Sequence, residues 1–174
     1  MKLFIMTKCV SDKGKCIPSC EVFSSEEEVR VAIGKDEWES IRACADKYEI
    51  STGNIEPKNN QGARTFRIYG EIYTWKIKSV EISLEPDSEV FILLHAHNRG
   101  DVFYAEAHVF DSREGAAAAM KSQLDSSLEM WRLMCGKTLY GKVGKTIGED
   151  RAKIELNDEV EAWVVEEKVV PSQA

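Results

Sequence analysis

Apolar residues crowd into Leu3-Phe4-Ile5-Met6, give way to turn formers in Ser11-Asp12-Lys13-Gly14-Lys15, and return mixed with polar positions in Cys16-Ile17-Pro18-Ser19-Cys20-Glu21-Val22-Phe23. Strand formers on either side of turn chemistry predict a hairpin, with Pro18 restricting pairing near the start of its second strand. The period then changes. Val29, Ile33, Ile41, Cys44 and Tyr48 recur at helical spacing, so a helix is expected over 25–48, with Gly34 a place for it to kink or restart. Residues 51–65 are rich in Gly, Asn, Pro and Lys without apolar periodicity and read as a loop. Phe66 to Ile82 reads as strand, turn or bulge at Gly70, and a longer strand with large apolar residues at alternate positions.

The same succession follows the seam at Pro86-Asp87. Val90 to Ala96 is strand, Asn98-Arg99-Gly100-Asp101 a turn and Val102 to Phe110 the returning strand. A helix over 112–135 places Ala116, Met120, Leu124, Leu128, Trp131 and Met134 on one face. Residues 136–151 form a loop, Ala152 to Leu156 a strand, Asn157-Asp158 a turn and Val160 to Val170 the last strand.

The recurrence has a constant register. Val22 and Val109 differ by 87 positions (109 − 22 = 87), and the same offset carries Phe4 to Phe91, Ile5 to Ile92, Phe23 to Phe110, Ser25 to Ser112 and Ala32 to Ala119 without a gap. One residue of slippage in the following loop sets Trp75 on Trp163 and Ile77 on Val165. Both Val-Phe pairs are followed by a serine placed to cap a helix and by acidic residues near its positive end. The expected fold is therefore α+β: a tandem duplication of a ββαββ unit, with antiparallel sheets each packed by one helix and related by an internal pseudo-twofold. The repeats span 1–86 and 87–174 and pack together as one globular unit, because each alone would be marginal in size.

Charge and cysteine content narrow the function class. A formal net charge of −7 disfavours nonspecific phosphate binding, which rests on clustered Lys and Arg, so direct nucleic-acid binding is not expected and a protein partner fits better. The apolar run at the N-terminus is too short for a signal peptide, and no stretch is long enough to span a membrane. Five cysteines, an odd number, read as reduced thiols in a cytoplasmic protein.

Candidate chemistry is sparse. Gly136-Lys137-Thr138-Leu139-Tyr140-Gly141-Lys142-Val143 has the spacing of a phosphate loop, but valine follows the lysine and the segment leaves a helix instead of opening one. Cys9, Cys16 and Cys20 on one hairpin and His95, His97 and His108 on its counterpart would need the pseudo-twofold to meet around zinc, and their spacings lack the usual metal knuckles. No metal and no cofactor are expected on that ground, and no local catalytic motif points to an enzyme.

The expected function is a non-enzymatic protein-binding protein acting through loops and surface aromatics where the two copies differ. Those positions are Trp38, which lies off the apolar stripe of the first helix; Asn59, Asn60 and Arg64 in the loop 51–65; and Lys137, Lys142 and Lys145 in its counterpart. One alternative is an acidic inhibitor, similar in charge and size to the small phage proteins that occupy the nucleic-acid groove of host nucleases. A second is a metal- or thiol-dependent enzyme using the two hairpins. The oligomeric state is not legible from the pattern.

Overall fold

The computed structural model describes residues 1–12, 15–60, 62–99, 102–157 and 159–172. The first half contains β1 (Lys2–Asp12), β2 (Lys15–Phe23), α1 (Glu26–Tyr48), a short 3-10 turn at Thr52–Asn54, β3 (Lys58–Asn60), β4 (Ala63–Ile68) and β5 (Glu71–Glu81). The second contains β6 (Glu89–Arg99), β7 (Val102–Phe110), α2 (Arg113–Tyr140), β8 (Gly144–Ile147), β9 (Arg151–Leu156) and β10 (Glu159–Val169). They form two antiparallel five-stranded sheets, ordered β2-β1-β5-β4-β3 and β7-β6-β10-β9-β8.

The registers repeat along with the order. Phe4 pairs with Phe23 as Phe91 pairs with Phe110, and Lys8 pairs with Trp75 as His95 pairs with Trp163. Each copy carries one strand more than the pattern of residues predicts. β3 and β8 lie inside the stretches read as loops, at the outer edges of their sheets. Lys58–Asn60 and Gly144–Ile147 are short, and Lys58, Asn59, Lys145, Thr146 and Ile147 are exposed, so backbone pairing defines these strands and no buried alternation announces them.

Alternation along the central strands builds four layers. Met6, Phe66 and Trp75 meet Val29, Ile41 and Cys44 of α1 on one face of the first sheet. Leu3, Ile5 and Cys20 face the other way and pack on Ile92, Leu94 and Ala107 of the second sheet. Phe91, Leu93 and Trp163 in turn meet Ala116, Met120, Leu124 and Trp131 of α2. The order is helix, sheet, sheet, helix, which explains why Val90-Phe91-Ile92-Leu93-Leu94 is apolar at every position: both faces of β6 are covered. Small side chains, among them Cys9, Cys16, Ala96, Ala105 and Ala162, fill one end of the seam between the sheets.

Both helices start as their sequences prescribe. Ser25 and Glu28 form a reciprocal capping box on α1, with Glu26, Glu27 and Glu28 in its first turn. Ser112 Oγ accepts from the N–H of Gly115 at the start of α2. Gly34 does not interrupt α1, which runs unbroken through it. Gly136, at φ 64° and ψ 174°, breaks α2 where the apolar period ends, and a further helical turn follows. Met134, placed by its spacing on the core face, is 60% exposed, and Cys135 packs against the core instead. Among the described residues no helix is long and apolar enough to cross a membrane.

Candidate functional site

Between each sheet and its helix lies a polar network at corresponding positions, built with opposite charge logic in the two copies. In the first, the ammonium of Lys8 on β1 donates to Asp36 Oδ1 on α1 (2.8 Å) and to Ser40 Oγ (3.3 Å), and the indole N–H of Trp75 donates to Asp36 Oδ2 (2.5 Å). The offset carries Lys8 to His95, Asp36 to Gln123 and Ser40 to Ser127, and with the one-residue slippage Trp75 to Trp163. The indole N–H of Trp163 accordingly donates to Gln123 Oε1 (3.2 Å), and the ring stacks on His95 with centroids 4.7 Å apart and planes 7° from parallel.

The negative charge of the second network comes from the sheet. Glu161 on β10, which corresponds to Tyr73, is 3% exposed and accepts from Ser127 Oγ (2.8 Å) and the Trp131 indole N–H (2.9 Å), and its Oε1 lies 2.9 Å from His95 Nε2. Burial alone would raise its pKa, but the hydrogen bonds from His95, Trp131 and Ser127 outweigh it and hold the carboxyl down to about 2. His97, which corresponds to Val10, pairs directly with Glu161 across β6 and β10. Sequence reasoning named both histidines and missed Glu161. Its signal was the alternation Glu161, Trp163, Val165, which puts the carboxylate on the helix-facing side of β10.

The cysteines do not join this cluster. Cys9 and Cys16 lie 3.4 Å apart, sulfur to sulfur, in the seam between the sheets, whereas His95 lies on the opposite face of the second sheet against Trp163. Cys20 also faces the seam. The strand period separates the two sets: odd positions of β1 point inward to the partner sheet, and odd positions of β6 point outward to α2.

A second feature lies in the first copy. A cleft of about 710 Å³ opens beside α1, floored by Phe4, Ile33, Trp75 and Ile77 and bordered by Glu26, Arg30, Gly34, Glu37, Asn59 and Arg64. Arg64 donates through Nε to Glu37 Oε2 (2.6 Å) and through a terminal nitrogen to Glu37 Oε1 (3.3 Å), and Arg30 pairs with Glu26 (2.5 Å). A Cβ placed on Gly34 would meet nothing within 4 Å.

The same positions of the second copy are filled differently. Glu26, Ile33, Gly34 and Glu37 are matched by Arg113, Met120, Lys121 and Leu124. Met120 and Leu124 are buried, and Arg113 lies over the Phe91 ring while pairing with Asp150 (2.9 Å) and Glu167 (2.6 Å).

Of the residues singled out from sequence, Asn59 and Arg64 meet at the cleft. Trp38, one helical turn beyond Gly34, is 53% exposed and outside the cleft's lining. Lys142 and Lys145 are exposed in the other half, where Lys145 donates to Tyr140 Oη (3.0 Å) across its ring. The side chains of Asn60 and Lys137 lie outside the described residues. Gly136 to Lys142 runs from the end of α2 into the turn before β8, the reverse of the strand-to-helix setting that a phosphate loop needs. No protein-family model, no curated protein and no solved structure matches the chain.

Proposed function

We propose that this protein is a non-enzymatic binding protein whose first repeat seats an apolar side chain of a protein partner in the cleft beside α1. The observation that carries the reading is the unequal treatment of one frame. Positions that are packed or tied across by ion pairs in the second copy border an open, aromatic-floored cleft in the first. A duplicated scaffold needs its common positions for folding and is free to specialise where the copies differ. An apolar floor ringed by hydrogen-bonded charges matches the anatomy of an anchor pocket, with the Glu37–Arg64 and Glu26–Arg30 pairs orienting the polar surroundings of the anchor. Trp38, exposed on the same helix, supplies a rim aromatic.

The test is a photo-reactive benzoylphenylalanine in place of Asn59, exposed at the cleft border, irradiated in an extract of the source organism. One predominant protein adduct is expected, lost when Gly34→Leu projects a side chain into the cleft. An adduct that survives Gly34→Leu, or its absence while the same probe at Lys145 captures a partner, places the binding surface elsewhere.

A further inference from the structure

We propose that His95, His97 and Glu161 form a binding site for one divalent transition-metal ion of the zinc type. His97 and Glu161 are directly opposed on β6 and β10, and His95 follows on the same face of β6. One ligand atom from each residue lies within 4.8 Å of the other two. Ligands bound at about 2.1 Å to a common ion stand roughly 3 Å apart, so His95 Nε2 and Glu161 Oε1, at 2.9 Å, already have the separation of neighbouring donors.

The surroundings are those of a ligand set held in place. Ser127 and Trp131 of α2 donate to the Glu161 carboxylate and fix its plane, and Trp163 stacks on His95 and fixes its ring. Such outer contacts orient metal ligands and sharpen affinity. Two imidazoles and one carboxylate on adjacent strands suit a borderline divalent ion and leave coordination positions for water.

The other copy supplies the control for a purely structural role. Lys8, Val10 and Tyr73 occupy the positions of His95, His97 and Glu161; Lys8 pairs with Asp36 and donates to Ser40, and the Tyr73 hydroxyl donates to Glu71, which Lys47 and Tyr48 of α1 also reach. The frame thus folds without an imidazole at either position, its carboxylates partnered by Lys8, Lys47 and tyrosine hydroxyls. A carboxylate at the Tyr73 position and imidazoles at the Lys8 and Val10 positions bring three donors together in the second copy. The cleft lies in the other repeat, so this site stands or falls independently of the binding function.

Untagged full-length protein, stripped with EDTA, would be titrated with Co²⁺ and with Zn²⁺ by absorbance and calorimetry. The expected result is one equivalent per chain, with cobalt ligand-field bands and no thiolate-to-cobalt charge-transfer band, because Cys9 and Cys16 face the seam. His97→Ala, at a half-buried position, should lower affinity about tenfold or more while the circular dichroism stays that of wild type, and Cys9→Ser/Cys16→Ser should leave affinity unchanged. Failure of the folded wild-type chain to take up an equivalent of either ion would overturn the proposal, as would binding that survives His97→Ala or shows thiolate charge transfer.

Discussion

Lys78 and Glu166 occupy the same position of the last long strand in the two copies, and each crosses the seam to the backbone of the opposite edge strand. The Lys78 ammonium donates to the carbonyl of Ala107 on β7, and a Glu166 carboxylate oxygen accepts from the N–H of Cys20 on β2 (3.3 Å). Cys20 and Ala107 themselves correspond under the offset. The pseudo-twofold is therefore kept in position and inverted in charge, with a cation meeting a carbonyl on one side and an anion meeting an N–H on the other. Edge strands that would otherwise present unpaired backbone groups are partly satisfied from across the seam.

These two links predict parallel losses. Lys78→Met and Glu166→Met should each lower unfolding free energy by about 1 kcal/mol, and the effects should add because the links share no partner. Urea denaturation of the single and double variants measures both. A marked coupling between them would show that they share one network.

Gly34 costs α1 helical stability and lines the cleft. Because a Cβ there meets nothing within 4 Å, Gly34→Ala should stabilise the protein by about 0.5–1 kcal/mol, read as a shift in denaturation midpoint. A loss of stability instead would mean that the helix needs glycine at this position.

Glu71, buried at the start of β5, yields a pH prediction. Burial alone would raise its pKa, but Lys47, Tyr48 (2.6 Å) and Tyr73 (3.0 Å) all donate to it and hold the carboxyl below the ordinary glutamate range. A depressed folded-state pKa contributes stability that is complete above the unfolded value of about 4.3 and lost as pH falls through the folded value. Glu71→Gln should cost about 1–2 kcal/mol at neutral pH, with the gap to wild type narrowing below about pH 4. Equal gaps at pH 7 and pH 3 would contradict this.

Cysteine reactivity should follow the layers. Burial pushes the thiols of Cys9 and Cys20 up, further raised by neighbouring Cys16 and Glu166 respectively, and thiolate is the reactive form. Iodoacetamide on the native chain should modify Cys135, the one cysteine not fully buried, well before the others. Early loss of Cys9 or Cys20 in a peptide map would show that the seam opens readily.

Much of the fold could be read from residues. The offset, with one residue of slippage, placed Trp75 and Trp163 in equivalent cores, and both are fully buried; the constant offset also set both helices behind Val-Phe strands. Local pattern could not reveal β3 and β8, which bury too little to impose a period, or the pairing of the two sheets through their second faces. Site chemistry was less legible because it depends on contacts across elements. Glu161 meets Ser127 and Trp131 over sequence separations of 34 and 30 residues, and the cleft gathers residues of β1, α1, β3, β4 and β5. Asn59 and Arg64 were found because their loop differs between the copies, and that difference is what borders the cleft.

The central claim, that one duplicated frame uses its first copy as the binding half, is tested most directly by a matched pair of substitutions, Gly34→Leu and Lys121→Leu, at corresponding positions of α1 and α2. Affinity for the cross-linked partner would be measured by calorimetry on both variants after their folding is checked by circular dichroism. Gly34→Leu, which projects a side chain into the cleft, should weaken binding by about 2 kcal/mol or more while Lys121→Leu leaves it at the wild-type value. Equal affinities for Gly34→Leu and wild type, or a loss confined to Lys121→Leu, would contradict it.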